Sequence, residues 1–187
     1  MKALDPWEAL WVPYDEETYA AVIDRVYRDD VVLDIGAGDL RLARRLAERC
    51  RRVYAVEMNA EVLRAGLSSL PDNLVPVCAD ARTWHFPAGV TVAILLMRHC
   101  RHFGLYVRKL QMAGCSRLLT NARWGWGVEE ILLAQGAVPF RLASPGWYAC
   151  RCGRVGFVAA SAEDVSLESL GRVQEVIGCP DCGERAR

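Results

Sequence analysis

The chain has 187 residues, enough for one domain with a sizeable core and a small appendage. Its composition, 52% hydrophobic and 25% charged, excludes a disordered chain. No apolar run approaches the roughly 20 residues needed to cross a bilayer. Formal charge is zero, 23 basic against 23 acidic residues, which disfavours a protein that grips duplex nucleic acid by bulk charge.

That zero hides an asymmetry. No acidic residue lies between Asp80 and Glu129, whereas Arg82, Arg98, Arg101, Arg108, Lys109, Arg117 and Arg123 do, a segregation that creates a local positive field. The opening Met1–Glu8 has no apolar signal core, so the expected compartment is the reducing cytoplasm, with no membrane partner.

Strand-length apolar runs alternate with helical patterns, the signature of a parallel sheet covered on both faces. The pattern predicts a helix from Asp15 to Tyr27, N-capped by Asp15, and a buried strand from Val31 to Ile35. Next come a helix from Asp39 to Cys50, a strand from Arg52 to Val56 and a helix from Asn59 to Leu70. Strands follow at Leu74–Cys78 and Thr91–Leu96, and Phe103, Tyr106, Val107 and Leu110 recur at helical spacing. Arg117–Thr120 reads as a fifth strand and Val128–Gln135 as a helix ended by Gly136. Beyond it, Val138–Leu142, Trp147–Cys152 and Arg154–Ala160 read as strands joined in antiparallel hairpins. Ser161–Ile177 reads as a polar linker or short helix. The expected organisation is an α/β domain over residues 1–144 followed by a β-hairpin and cysteine-bearing tail over 145–187.

The most informative stretch is Val31-Val32-Leu33-Asp34-Ile35-Gly36-Ala37-Gly38-Asp39-Leu40, a buried strand running through two glycines into a helix. The glycines allow a sharp turn and a close ligand approach. Glu57 ends the next strand, where a carboxylate can accept from both ribose hydroxyls, and Asp80 follows the third, within reach of an adenine amino group. A pyrophosphate site needs a third glycine and positive surroundings. Here Arg41 stands at that position and Asp39 beside it would repel phosphate, so an acid-lined loop suits a cationic ligand bearing an amino group and a sulfonium.

With Asp34-x-Gly36-x-Gly38, Glu57 and Asp80 in this order, the chain resembles the class I S-adenosylmethionine-dependent methyltransferases over roughly residues 12–145. Val12-Pro13-Tyr14 and Gly38-Asp39-x-Arg41 are similar to one branch of that family. The resemblance implies a Rossmann-like α/β sheet with helices on both faces. It places Gly36 and Gly38 beneath the methionine part of the cofactor, Asp34 at its amino group, Glu57 at the ribose and Asp80 at the adenine. It also implies Tyr14, Asp39, Met58 and Ala81 in the same cofactor site. One departure is Leu40, which stands where the family has a third glycine.

The acceptor site of such a fold lies outside the carboxyl ends of strands four and five. After strand four the chain reads Leu96-Met97-Arg98-His99-Cys100-Arg101-His102, without the Asn-Pro-Pro-Tyr of many amino-directed methyltransferases. His99 and His102 are candidate general bases, or else histidines that cap or flank a helix start. A metal held by His99, Cys100 and His102 is a third reading. After strand five, Asn121 and Arg123 are expected to open onto the same cleft as Arg98 and Arg101, with Trp124 and Trp126 as stacking surfaces. The alternative is tryptophans packed at the sheet edge. Arg98, Arg101 and Trp124 as substrate-binding residues, with Asn121 and Arg123 beside the histidines as catalytic candidates, favour a small, anionic or nucleotide-like acceptor.

Cys150-x-Cys152-Gly153 and Cys179-x-x-Cys182-Gly183 form the second strong pattern. Four thiolates make a closed tetrahedral site of the kind that holds structural zinc, similar to a zinc ribbon. A redox pair is the competing reading. The metal element either staples the tail to the domain or docks a macromolecular substrate, which leaves RNA or protein methylation, and a non-catalytic cofactor-binding module, as alternative functions.

Overall fold

The computed structural model describes residues 12–124, 127–159, 161 and 165–183. Six strands form the main sheet: β1 Val31–Ile35, β2 Arg52–Glu57, β3 Leu74–Cys78, β4 Val92–Leu95, β5 Arg117–Thr120 and β6 Glu129–Leu132. Their order is β3-β2-β1-β4-β5-β6, with the first five parallel and β6 antiparallel to β5. Alternate residues of each strand feed opposite faces. Val32, Val53, Ile94 and Leu119 pack with helices α1 (Glu16–Ile23) and α2 (Arg41–Ala47), and Leu63 of α3 (Ala60–Ala65) joins them. Leu33, Ala93, Leu95 and Leu118 pack on the other face with Phe103, Tyr106, Val107 and Leu110 of α4 (Phe103–Met112).

A second sheet contains β7 Val138–Pro139, β8 Gly146–Cys150, β9 Val155–Val158 and β10 Val173–Ile177 in the order β7-β10-β8-β9. β8 and β9 form the expected antiparallel pair, but β10 lies between β7 and β8 and runs parallel to both. Ser161–Ile177 is therefore not a mere linker. It carries α5 (Leu167–Leu170), whose N-terminus is closed by a Ser166–Ser169 capping box, and then a central strand. Only Val176 of β10 is fully buried, and Glu175 faces Arg123, so the segment shows no apolar run that would mark a strand.

Val128–Gln135 corrects the sequence reading more sharply. Its Glu, Ile, Leu, Ala and Gln favour a helix, yet Glu129–Leu132 is an edge strand. In register with Thr120 and Leu119, Glu129 and Glu130 pair with Arg123 and Arg117, while Ile131 is the strand's one buried residue. Pairing to arginines brought from elsewhere outweighs local preference. The helices are also shorter than periodicity implied, α1 stopping at Ile23 and α3 at Ala65.

Leu40 has a left-handed backbone (φ 66°) at the start of α2, and its side chain is completely buried among Val22, Leu42, Leu46 and Leu63. Gly66 is the counterpart of this arrangement: a Cβ there would collide with the Asp39 carbonyl and come within 3.0 Å of the Leu40 Cβ. Leu40→Gly should relieve about 1 kcal/mol of backbone strain but forfeit roughly 2–5 kcal/mol of buried side chain, so the urea midpoint falls. A midpoint that holds or rises would show that packing is not what Leu40 contributes.

Candidate functional site

The carboxyl ends of β1, β2, β3 and β4 open on a cavity of about 400 Å³. Tyr14, Asp34, Gly36, Asp39, Glu57, Met58, Asp80 and Ala81 line one part of it, and Arg98, His99, Arg101 and His102 line the other. Gly38 lies behind this wall and braces it.

Each element has a local cause. Gly36 and Gly38 both take left-handed conformations (φ 78° and 57°), which turn the chain out of β1 and over the sheet edge. The Gly36 and Ala37 N–H groups donate to the Val56 carbonyl at 2.8 and 3.0 Å. Glu57 completes the brace: its Oε2 accepts from Gly38 N at 3.0 Å and its Oε1 from Asn59 N at 2.7 Å. Each oxygen keeps a second lone pair for a ligand hydroxyl.

The four carboxylates divide into two kinds. Asp39 is neutralised by Arg41 at 2.6 Å and Asp80 by Arg82 at 2.8 Å, and these hydrogen bonds hold both carboxyls below the usual range. Asp34 is different. It is 3% exposed, its Oδ2 meets no donor, and burial, reinforced by nearby Glu57, pushes its pKa up to about 7. The unanswered negative charge therefore concentrates on Asp34 and Glu57 at the cavity floor. Sequence reading had not drawn on the two arginine partners, although Asp39-x-Arg41 and Asp80-x-Arg82 repeat one spacing.

At the other end, Arg98 N donates to Tyr14 Oη at 3.2 Å while the Arg98 guanidinium lies over the Tyr14 ring at 5.2 Å. Tyr14 N donates in turn to Tyr19 Oη at 3.0 Å, so the segment before α1 is tied to the turn after β4. His99 is exposed with φ 59°, a conformation a side chain adopts only under constraint. His102 occupies the N-cap of α4, where its imidazole makes no capping hydrogen bond. His99, Cys100 and His102 do not converge: among the described residues the sole metal-competent group is the cysteine quartet.

The residues after β5 do not reach this cavity. Arg123, expected beside Arg98 and Arg101, has a side chain only 3% exposed, with bonds of 2.6–2.8 Å to Glu129 and Glu175 that join the two sheets. Its partners lie 6 and 52 residues away, beyond any local signal. Trp124 stands edge-on to Trp147 at 6.3 Å, in a separate depression with Arg123 and Glu129. Trp126 lies outside the described residues. Asn121 is 2% exposed with neither amide atom partnered among the described residues.

Cys150, Cys152, Cys179 and Cys182 converge with sulfurs within 4.8 Å of one another. The Cys150–Cys182, Cys152–Cys179 and Cys179–Cys182 separations are 3.6, 3.5 and 3.7 Å. Those distances are too long for a disulfide of about 2.05 Å. A tetrahedral ion with Zn–S bonds of about 2.3 Å sets its sulfurs about 3.8 Å apart, so the quartet fits such an ion. Backbone N–H groups of Cys152, Arg154 and Asp181 point at the thiols of Cys150, Cys152 and Cys179. The Cys152 backbone also lies against α4: a Cβ on Gly104 would sit 3.2 Å from the Cys152 Cα.

Asp34 generates a test of the cavity's electrostatics. Its folded pKa stands above its unfolded value of about 3.9, so the native state holds the extra proton between about pH 4 and 7, and stability falls as pH rises through that window. Asp34→Asn should be more stable than the unsubstituted chain near pH 8, with the gain vanishing near pH 4 in thermal melts. A gain independent of pH would mean that Asp34 is not the titrating group.

The methyltransferase-domain family matches residues 32–122. No curated protein matches the sequence significantly. Precorrin-8w decarboxylase from Methanobacterium thermoautotrophicum is similar in structure, with TM-score 0.52, 21% identity, and coverage of 60% of this chain and 65% of that one. The [4+2]-cyclase SpnF aligns with TM-score 0.50 and 14% identity over 56% of this chain and 43% of its own. An RNA methyltransferase from Salinibacter ruber, solved with S-adenosylhomocysteine, aligns with TM-score 0.49 and 18% identity over 58% of this chain and 76% of its own. The chain thus spans less than two thirds of the decarboxylase and less than half of the cyclase. The first two likenesses carry the fold, which hosts more than one chemistry. The methyltransferase-domain match covers just under half of the chain, and the architecture around it is the Rossmann-like α/β sheet that such domains share.

Proposed function

We propose that the chain transfers a methyl group from S-adenosylmethionine to a small, anionic or nucleotide-like acceptor, and that the cysteine quartet holds a structural zinc ion. The observation that carries the reading is the buried, unpartnered oxygen of Asp34 beside Glu57. A carboxylate kept from water stays ionised only beside a cation, and the ammonium of the cofactor's methionine part is one. Leu40 turns away from the cavity into the core, so the departure from the family's third glycine leaves the cavity open.

When bound, the cofactor supplies an electrophilic methyl carbon on a cationic sulfur. The chain's residues do the rest. Gly36 and Gly38 bring backbone close beneath the methionine part, Asp34 accepts from its ammonium, and Glu57 accepts from the ribose hydroxyls. Asp80 and Ala81 meet the adenine, with Met58, Tyr14 and Asp39 closing the walls. Arg98 and Arg101 hold an anionic acceptor at the cavity mouth. His99, or His102 one helical cap away, takes the proton that an OH or NH nucleophile loses as its lone pair displaces sulfur. Positioning in line supplies most of the acceleration.

A macromolecular acceptor is the second reading. Trp147 and Phe157, paired across β8 and β9 and 40% and 38% exposed, offer it an outer aromatic face. Against docking by the metal itself, the Cys152 knuckle is tucked onto α4, as a staple would be.

Calorimetry with S-adenosylhomocysteine should show binding that strengthens as pH rises through about 7, because the ligand's ammonium requires ionised Asp34. Glu57→Ala should cost about 2 kcal/mol of affinity. Absence of heat from the unsubstituted chain would overturn the proposal. Metal analysis should return one zinc per chain. Cys182→Ser should release it and lower the melting temperature while keeping the affinity for S-adenosylhomocysteine; retention of a full equivalent of zinc would overturn the assignment of the quartet.

A further inference from the structure

Lysine is rare here: Lys2 and Lys109 stand against 21 arginines. Lys109 lies on α4, and its Nζ donates to three backbone carbonyls, those of Ala81 at 2.5 Å, Trp84 at 2.6 Å and Arg82 at 3.1 Å. The same ammonium rides over the Phe86 ring at 4.3 Å. All four partners belong to the loop that leaves β3, and Asp80, Ala81 and Arg82 of that loop line the cavity. Lys109 does not line it, so any influence passes through the loop.

An ammonium projects three donors from one point, whereas a guanidinium spreads its donors over a rigid plane. Three carbonyls converging on one atom fit the first and not the second. In a chain that otherwise uses arginine, lysine stands where that geometry demands it. The loop's own bonds, from the Thr83 and Trp84 N–H groups to the Asp80 carbonyl, form a turn but do not attach it to the helix; Lys109 does.

We propose that Lys109 is the positioning residue of the cavity's adenine end: it anchors the loop after β3 to α4, so that Asp80 and Ala81 are held ready for a nucleoside base. This rests on reading the cavity as the cofactor site. Without the ammonium three carbonyls lose their donor, the loop shifts toward water, and base binding weakens while the Asp34 end stays formed.

The test uses the metal-loaded chain and two probes, S-adenosylhomocysteine and adenosine, in calorimetry. Lys109→Met should weaken both by a similar factor, about tenfold. Lys109→Arg should fail to restore either, although it keeps the charge. Asp34→Asn should weaken S-adenosylhomocysteine and spare adenosine, and the cobalt–thiolate absorption of the cysteine quartet should be unchanged in all three variants. Unaltered affinity for both probes in Lys109→Met, even with a lowered melting temperature, overturns the proposal, as does full affinity in Lys109→Arg. If Lys109→Met does not fold, Lys109→Arg decides. Failure of the unsubstituted chain to bind either probe overturns the cofactor reading and this one with it. Binding that is indifferent to Lys109 overturns this one alone.

Discussion

Asp34 and Glu57 bring two carboxylates into one buried corner, where the fully enclosed Asp34 Oδ2 meets no donor. Burying charge in this way costs stability, and the fold tolerates it because Glu57 is also structural. Its two oxygens fasten the glycine turn to the end of β2 through Gly38 and Asn59. The same residue thus shapes the turn and keeps lone pairs toward the cavity. Asp39 and Asp80, each answered by an arginine two residues on, add walls without adding net charge. The cavity's negative charge is accordingly local, set at its floor and not by the neutral chain as a whole.

Helix α4 is the common support of everything around that floor. Its first residue, Phe103, lies under the Arg123 guanidinium, which is locked to Glu175 of the second sheet. Gly104 receives the Cys152 backbone, and Lys109 holds the loop after β3. The residues just before the helix, Arg98 to His102, form the cavity's outer wall. One short helix therefore connects the thiolate cluster, the Arg98–His102 wall and the loop after β3.

The second sheet follows a different logic from the first. The main sheet is held by apolar burial on two faces. The second has a small core of Tyr148, Cys150, Val176 and Cys179, and depends on the sulfur cluster and on the buried Arg123–Glu175 pair for attachment. A core so small would gain stability from an ion held by the four thiols.

By itself the sequence determined the parallel strands, the glycine turn, the acidic residues at strand ends and the pairing of cysteines into knuckles. Each rests on short-range chemistry: a fully buried strand must be an apolar run, a left-handed turn wants glycine, and a metal knuckle needs thiols two or three residues apart. Tertiary structure decided what depends on partners distant along the chain. Glu129–Leu132 became a strand because Arg117 and Arg123 stood beside it, and Val173–Ile177 entered the second sheet although only one of its side chains is wholly enclosed. Arg123 was drawn out of the expected cleft by Glu175, 52 residues on. Leu40 found its place in the core because Gly66 left room for it. Periodicity records how much of a segment is buried, but the identity of the group that meets a charge or fills a gap is fixed only when the chain closes on itself.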